Sequence, residues 1–267
     1  MTETAHSLVL RLAGPMQSWG SHSQFNRRET GGEPTKSGIT GLLAAALGRR
    51  REDPIEDLLR LNLGVRTDQP GSLLRDYHTV SDYRDRPLLS AKVSAKGLQT
   101  PTSPAKYTHV TERFYLQDAV FVAAVSGPVD VLTALADAVR HPAFPLALGR
   151  RACVPTQPLL LRSEGDAETP YLWRGEPFAV LKQVPWQVSK AQARALGRQA
   201  MPSEVDLPVT VDDLAGNDSR IDVPTSFEPR SRGFTARPVR QDWVRVPTPF
   251  EGGQAPESHD PFALLGW

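Results

Sequence analysis

The run Pro34-Thr35-Lys36-Ser37-Gly38 opens a stretch of apolar residues at helical spacing, and its residue types suit an anion. A helix start presents free backbone N–H groups; this one adds two hydroxyls and a lysine. Upstream lie an aromatic residue, Trp19, and an arginine doublet, Arg27-Arg28. Arginine grips phosphate with two parallel hydrogen bonds and stacks on bases, so the anion suggested belongs to a nucleic acid. Trp19, beside Met16, Gln17 and Ser18, reads either as a stacking platform for a base or as a core residue. A nucleoside-triphosphate P-loop is excluded. That motif needs Gly directly before the lysine and another five positions upstream of it, where this chain has Thr35 and Thr30.

Further along, Arg75-Asp76-Tyr77-His78-Thr79 places a histidine among polar groups. His78 could act as acid or base in metal-free RNA cleavage, or simply contact RNA. Lys106 and Arg113 belong to the same basic segment, and Gly149-Arg150-Arg151 puts two guanidiniums at a turn. No Ser/His/Asp order, paired carboxylates or metal-ligand spacing stands out. The single cysteine, Cys153, rules out both an internal disulfide and a Cys-x-x-Cys zinc site. No catalytic residue, metal ligand or cofactor site is therefore assigned.

At 267 residues the chain is long enough for a sizeable core. Hydrophobic content of 39% and a mean hydropathy of −0.36 fit a globular protein in water, and no apolar run reaches the roughly 18 residues of a membrane span. Residues 1–6 lack the build of a signal peptide, and a lone thiol fits a reducing cytoplasm. A net charge of +1 argues against a bulk nucleic-acid binder, so the placement of charge matters more. Basic residues cluster at Arg27-Arg28 and Arg49-Arg50-Arg51, while 201–228 is rich in Asp and Glu. Proline, at 24 residues, points to many loops.

The elements that must position these groups follow from periodicity. Strands are predicted at Ser7–Leu12, Leu63–Thr67, Asp118–Val125 and Phe144–Leu148. Helices are predicted at Ser37–Leu47, Ile55–Leu61 and Asp130–Arg140. Between them, Leu88–Lys96 and Lys106–Tyr115 read as a basic projecting hairpin with its tip at 97–105. The order is α+β, ferredoxin-like βαββαβ, over residues 1–150 with an insertion at about 74–115. A smaller β-rich part follows at 151–246, with possible strands at Pro158–Leu161 and Phe178–Val184 and a short helix at Lys190–Met201. Asp222–Arg240 reads as a loop and 247–267 as a flexible tail ending in an apolar run.

Four motifs in one order resemble the CasD family, a RAMP-superfamily subunit of the type I-E CRISPR complex Cascade. They are Leu10-Arg11-Leu12-Ala13-Gly14-Pro15-Met16-Gln17-x-Trp19-Gly20; Pro34 to Gly38 with Gly41-Leu42-Leu43; Leu74 to Val80; and Leu148-Gly149-Arg150-Arg151-x-Cys153. Phe234-Thr235-Ala236-Arg237 is a weaker fifth. The resemblance implies a thumb-like hairpin and a non-catalytic role in which the chain caps the 5′ handle of the CRISPR RNA (crRNA). It also implies the CasC backbone subunit and the CasA large subunit as partners, with target DNA reached through the complex. Under that reading Met16, Gln17, Ser18, Trp19, Arg27, Arg28, Thr35, Lys36, Ser37, Arg75, His78, Lys106, Arg113, Arg150 and Arg151 are the RNA-binding residues. The alternative is a metal-independent endoribonuclease acting on repeat RNA.

Overall fold

The computed structural model describes residues 5–20, 26–88, 94–96, 98, 100, 103–163, 169–189, 192, 193, 195, 203–228 and 231–248. Strand β1 (His6–Ala13) is apolar on both faces because both are covered. Its Leu8, Leu10 and Leu12 join one core with helices α1 (Lys36–Ala46) and α3 (Val129–Arg140), whereas Val9 joins a second core with α4 (Pro177–Gln183). Strand β7 (Val120–Ser126) divides likewise: Phe121, Ala123 and Val125 face the first core, Val122 and Ala124 the second. The period-2 alternation of a strand sorts a continuous apolar run into two cores.

Around this centre lie β4 (Asn62–Gln69), β8 (Leu172–Arg174), β9 (Glu204–Asp212), β10 (Asp218–Ser226) and β11 (Gly233–Pro247), with the short α2 (Glu56–Leu59) after α1. They form a seven-stranded sheet in the order β10-β11-β9-β4-β7-β1-β8 with antiparallel pairs. A smaller sheet holds β2 (Met16–Gln17), β3 (Arg27–Arg28), β5 (Ser72–Ser81) and β6 (Thr108–Gln117). The architecture is mixed α+β, mostly antiparallel, with few helices.

Several expected elements differ. The partner of the 106–115 arm is β5, paired from Ser72↔Gln117 to Ser81↔Thr108, rather than Leu88–Lys96, of which 89–93 lie outside the described residues. β5 is open on both faces, so it has no apolar stripe to read. Phe144–Leu148 is not a strand; the chain bends there, and residues 159–161 run beside β1 instead, through Arg11 N–H to Leu159 O (2.6 Å) and Leu161 N–H to Val9 O (3.0 Å). Phe178–Val184 lies mainly in the helix α4, opened by Pro177 at its first turn, which buries Val180 and Leu181 at adjacent positions. The supposed loop Asp222–Arg240 belongs largely to β10 and β11. Its inward positions include charged residues that satisfy one another, so no apolar alternation marks it. Most of the predicted Lys190–Met201 helix and of the tail lies outside the described residues.

Candidate nucleic-acid interface

The α1 start is built as its sequence suggests, but its anion is supplied by the chain itself. Thr35 caps the helix, its Oγ1 accepting from Gly38 N–H at 3.2 Å. The Lys36 backbone N–H donates to Asp222 Oδ2 at 2.8 Å, and Lys36 Nζ pairs with Asp212 Oδ2 at 2.7 Å. Arg237 completes the network: its Nε and Nη2 donate to the two Asp222 oxygens at 2.7 and 3.0 Å, and Nη1 donates to Asp212. Burial works against the Arg237 charge, yet Asp222 and Asp212 outweigh it and hold the guanidinium above its usual range. Thr35, Lys36 and Ser37 are all buried. The expected phosphate contact at Lys36 is thus replaced by an internal latch between α1 and the C-terminal strands.

Trp19 is corrected as well. Its ring is 1% exposed, so it is a core residue and offers no face to a base. The indole packs on Gly38, where a Cβ would come within 2.6 Å of Cε3, and Nε1–H donates to Gln17 Oε1 at 3.1 Å. Gln17, also fully buried, donates through Nε2 to Leu12 O (2.9 Å) and Ala119 O (2.7 Å). Ser18 is buried, its Oγ donating to Phe114 O at 3.2 Å, and Met16 packs partly into the first core. These four residues set the path of the loop from within.

What that path presents is cationic. β3 lies parallel to β6 with Arg27 opposite Glu112 and Arg28 opposite Arg113. Opposed residues share a face. One face therefore carries Arg28, Arg113, Asp76 and His78; the other carries Arg27, Glu112, Phe114, Arg75 and the exposed Tyr77. Arg27 lies over the Phe114 ring at 5.0 Å, and Arg75 Nη1 stands 3.5 Å from Glu112. His78 Nε2 is 2.7 Å from Asp76 Oδ2, with both side chains partly exposed. Lys106 is exposed just before β6, and Arg151 at the 149–153 turn.

Arg150 binds these pieces together. Its Nη1 donates to Phe114 O (3.1 Å), its Nη2 to Arg28 O (2.7 Å) and Glu29 O (3.1 Å), and it lies over the Tyr115 ring at 4.9 Å. The turn that carries it needs Gly149, at φ 86°, since a Cβ there would sit 1.9 Å from Ser18 O. Residues 14–20 and 26–33, the β5–β6 pair and the 148–153 turn thus converge. Phe114, which lies beneath Arg27, and the exposed Tyr77 were not among the site residues expected from the sequence, whereas Tyr115 is buried in the first core and backs Arg150. Cys153 beneath the turn is buried, and burial, against the nearby Arg150, pushes its thiol above the usual range. Among the described residues no group of three His, Cys, Asp or Glu side chains is placed to hold a metal ion.

The profile of the CRISPR-associated protein (Cas_Cas5) family matches residues 7–240 of this chain. The chain belongs to that family. It is 38% identical over 168 residues to the CRISPR system Cascade subunit CasD of Escherichia coli (strain K12), a match covering 58% of this chain and 69% of that protein. A chain of a solved CRISPR RNA-guided surveillance complex superposes with a TM-score of 0.69 at 33% identity, covering 97% of this chain and 98% of that one. A crystal structure of a Cas protein superposes at 0.62, also 33% identical, covering 91% and 98%. The CasD resemblance carried by the four motifs holds. No helix among the described residues is long and apolar enough to cross a membrane.

Proposed function

We propose that this chain is a Cascade subunit that holds the 5′ handle of crRNA on the sheet formed by β3, β5 and β6, without cleaving it. The observation that carries this is the juxtaposition of Arg28 and Arg113 on one open sheet face, with Arg150 at its edge and exposed Tyr77 on the reverse. Guanidiniums and aromatic rings on an open sheet suit single-stranded RNA, held by phosphate contacts and stacking. Of the residues the sequence singles out, Arg27, Arg28, Arg75, His78, Lys106, Arg113 and Arg151 touch RNA. Met16, Gln17, Ser18, Trp19 and Arg150 position them, while Thr35, Lys36 and Ser37 build the α1 start and its latch to the C-terminal strands.

In this reading β1-α1-β4-β7-α3, with neighbours β4-β7-β1, is the ferredoxin-like RAMP domain of residues 1–150, and β5–β6 is the thumb that reaches the CasC backbone subunit. Residues 151–246 form the smaller part, latched to α1 through Asp212, Asp222 and Arg237, and 247–267 the tail. CasA is the further neighbour, target DNA is met through the assembled complex, and the setting is the cytoplasm.

One observation favours cleavage instead: the His78–Asp76 pair, in which a carboxylate orients an imidazole. Incubating purified chain with repeat-derived RNA in EDTA separates the two readings. Binding that weakens with salt, with the RNA left intact, is expected. Cleavage products that vanish on His78→Ala would establish the nuclease.

A further inference from the structure

The edge of a sheet is a template for pairing with another chain, and proteins shorten or interrupt their edges to prevent it. The seven-stranded sheet does both. At one end β8 has three residues; at the other β10 carries Pro224 and breaks its register with β11 at two points. β5 does neither. It runs ten residues, Ser72 to Ser81, without a proline and in unbroken register with β6, its partner among the described residues. Leu73, Tyr77 and Val80 along it stand more than half exposed.

The groups that face this open edge are fixed by β6. Glu112 N–H donates to Asn26 O at 2.8 Å, and Phe114 O accepts from Ser18 Oγ (3.2 Å) and Arg150 Nη1 (3.1 Å). Both residues therefore turn their backbone groups away from β5. In an antiparallel pair, opposed residues alternately exchange both bonds or turn both backbone units outward. Arg75 and Tyr77, opposite Phe114 and Glu112, thus turn N–H and C=O to the free side, and by alternation so do Leu73, Thr79 and Ser81. Among the described residues none of these backbone groups has a partner. A row of alternating donors and acceptors is matched by another extended polypeptide; RNA phosphates only accept.

Charge and register select which polypeptide. Two copies paired about a two-fold axis must set outward residues against outward residues. An axis at Asp76 would oppose the two Asp76 carboxylates, and an axis at His78 the two imidazoles. An axis at Tyr77, the middle of the outward run, opposes Asp76 to the partner's His78, Leu74 to the partner's Val80 and Arg75 to the partner's Thr79. The Asp76–His78 pair of each copy, 2.7 Å apart, then meets its reverse, so signs alternate around four groups. Every outward residue finds a partner and no like charges are opposed.

We propose that the free chain pairs with a second copy of itself, β5 edge to β5 edge, about a two-fold axis at Tyr77. The pairing itself does not depend on RNA binding. Where it touches the reading above is that the β5–β6 hairpin is the arm assigned to the CasC backbone subunit, so the dimer belongs to the free chain and is given up on assembly.

Sedimentation of the full chain without RNA, from low to several hundred micromolar, should show the mass rising from one chain to two and stopping there. Thr79→Pro removes an N–H from the free edge and no bond to β6, and should remain monomeric. Tyr77→Lys sets two ammonium groups against each other at the axis and should weaken pairing at least tenfold, which keeps the test open if the proline variant unfolds. Register is read by cysteines under mild oxidation. Opposed Cα atoms at a hydrogen-bonded pair lie about 5.5 Å apart, within disulfide reach, whereas the two residues at position 75 lie roughly 14 Å apart. Tyr77→Cys should therefore give a covalent dimer and Arg75→Cys should not. Wild type that stays monomeric, species that grow beyond two chains, a dimer that survives in folded Thr79→Pro or Tyr77→Lys, or equal crosslinking at 75 and 77 would each overturn the proposal. Two further results would reassign the edge and overturn it as well: pairing that appears only when handle RNA is added, or a monomeric chain whose Leu73, Arg75, Tyr77, Thr79 and Ser81 amides become protected from hydrogen exchange only in the native complex. None of these outcomes bears on salt-dependent RNA binding by the monomer, which is measured separately.

Discussion

Asp222→Ala removes the carboxylate that the α1 start would otherwise seek in a ligand. In the native chain that group accepts from the Lys36 backbone and from Arg237 at two atoms, and it is 5% exposed. Removing one member of a buried pair costs about 3–5 kcal/mol. Arg237 keeps Asp212, so the lower end applies, about 3 kcal/mol. The orphaned helix N–H adds about 1 kcal/mol. For a chain of this size each kcal/mol moves the midpoint by about 2–4 °C, so a total of about 4 kcal/mol predicts a fall of roughly 8–16 °C. Asp222→Asn, which keeps an acceptor oxygen, should lose less. Sulfate should stabilise Asp222→Ala more than wild type, because the vacated helix start becomes an anion site. Circular dichroism melts in chloride and in sulfate read both effects. A midpoint within about 2 °C of wild type, or equal sulfate effects in both proteins, would refute the assignment of Asp222 as the internal anion.

Lys36→Met should lower the thermal midpoint by breaking its pair with Asp212, yet leave RNA affinity unchanged at temperatures where the variant is folded; anisotropy titration checks this. Gly149→Ala should cost about 2–4 kcal/mol and cut RNA affinity through the displaced Arg150, measured by urea unfolding and by the same titration. Cys153, buried and pushed up in pKa, should react with iodoacetamide far more slowly than a free thiol. Its rate should keep rising with pH beyond the range where an ordinary thiol levels off, as followed by mass spectrometry.

The parts legible in sequence were those whose apolar spacing reports burial directly. Helix α1, expected at Ser37–Leu47 and found at Lys36–Ala46, the α3 stripe and the double-sided β1 and β7 follow from the spacing of their apolar residues. β10 and β11 were not legible, because Asp222 and Arg237 are buried by pairing with each other and look like loop residues in a sequence. The same blindness misplaced Lys36: a lysine at a helix start reads as a ligand for an external anion when its carboxylate partner, Asp212, lies 176 residues away. Trp19 was ambiguous between platform and core until Gly38 was seen to receive its ring. The arginines of β3, β6 and the 149–151 turn were legible as types; their convergence was not, since it depends on the register of β3 against β6 and on Arg150 reaching three carbonyls.

The central claim is that RNA lies on the sheet of β3, β5 and β6. Ultraviolet crosslinking of the chain, purified in its native complex with a photoreactive nucleotide in the 5′ handle, tests it most directly. The account predicts crosslinked peptides spanning Arg27-Arg28, 72–81 and 108–117. Crosslinks confined to the α1 start at Thr35–Ser37, or no crosslinks to this chain at all, would contradict it.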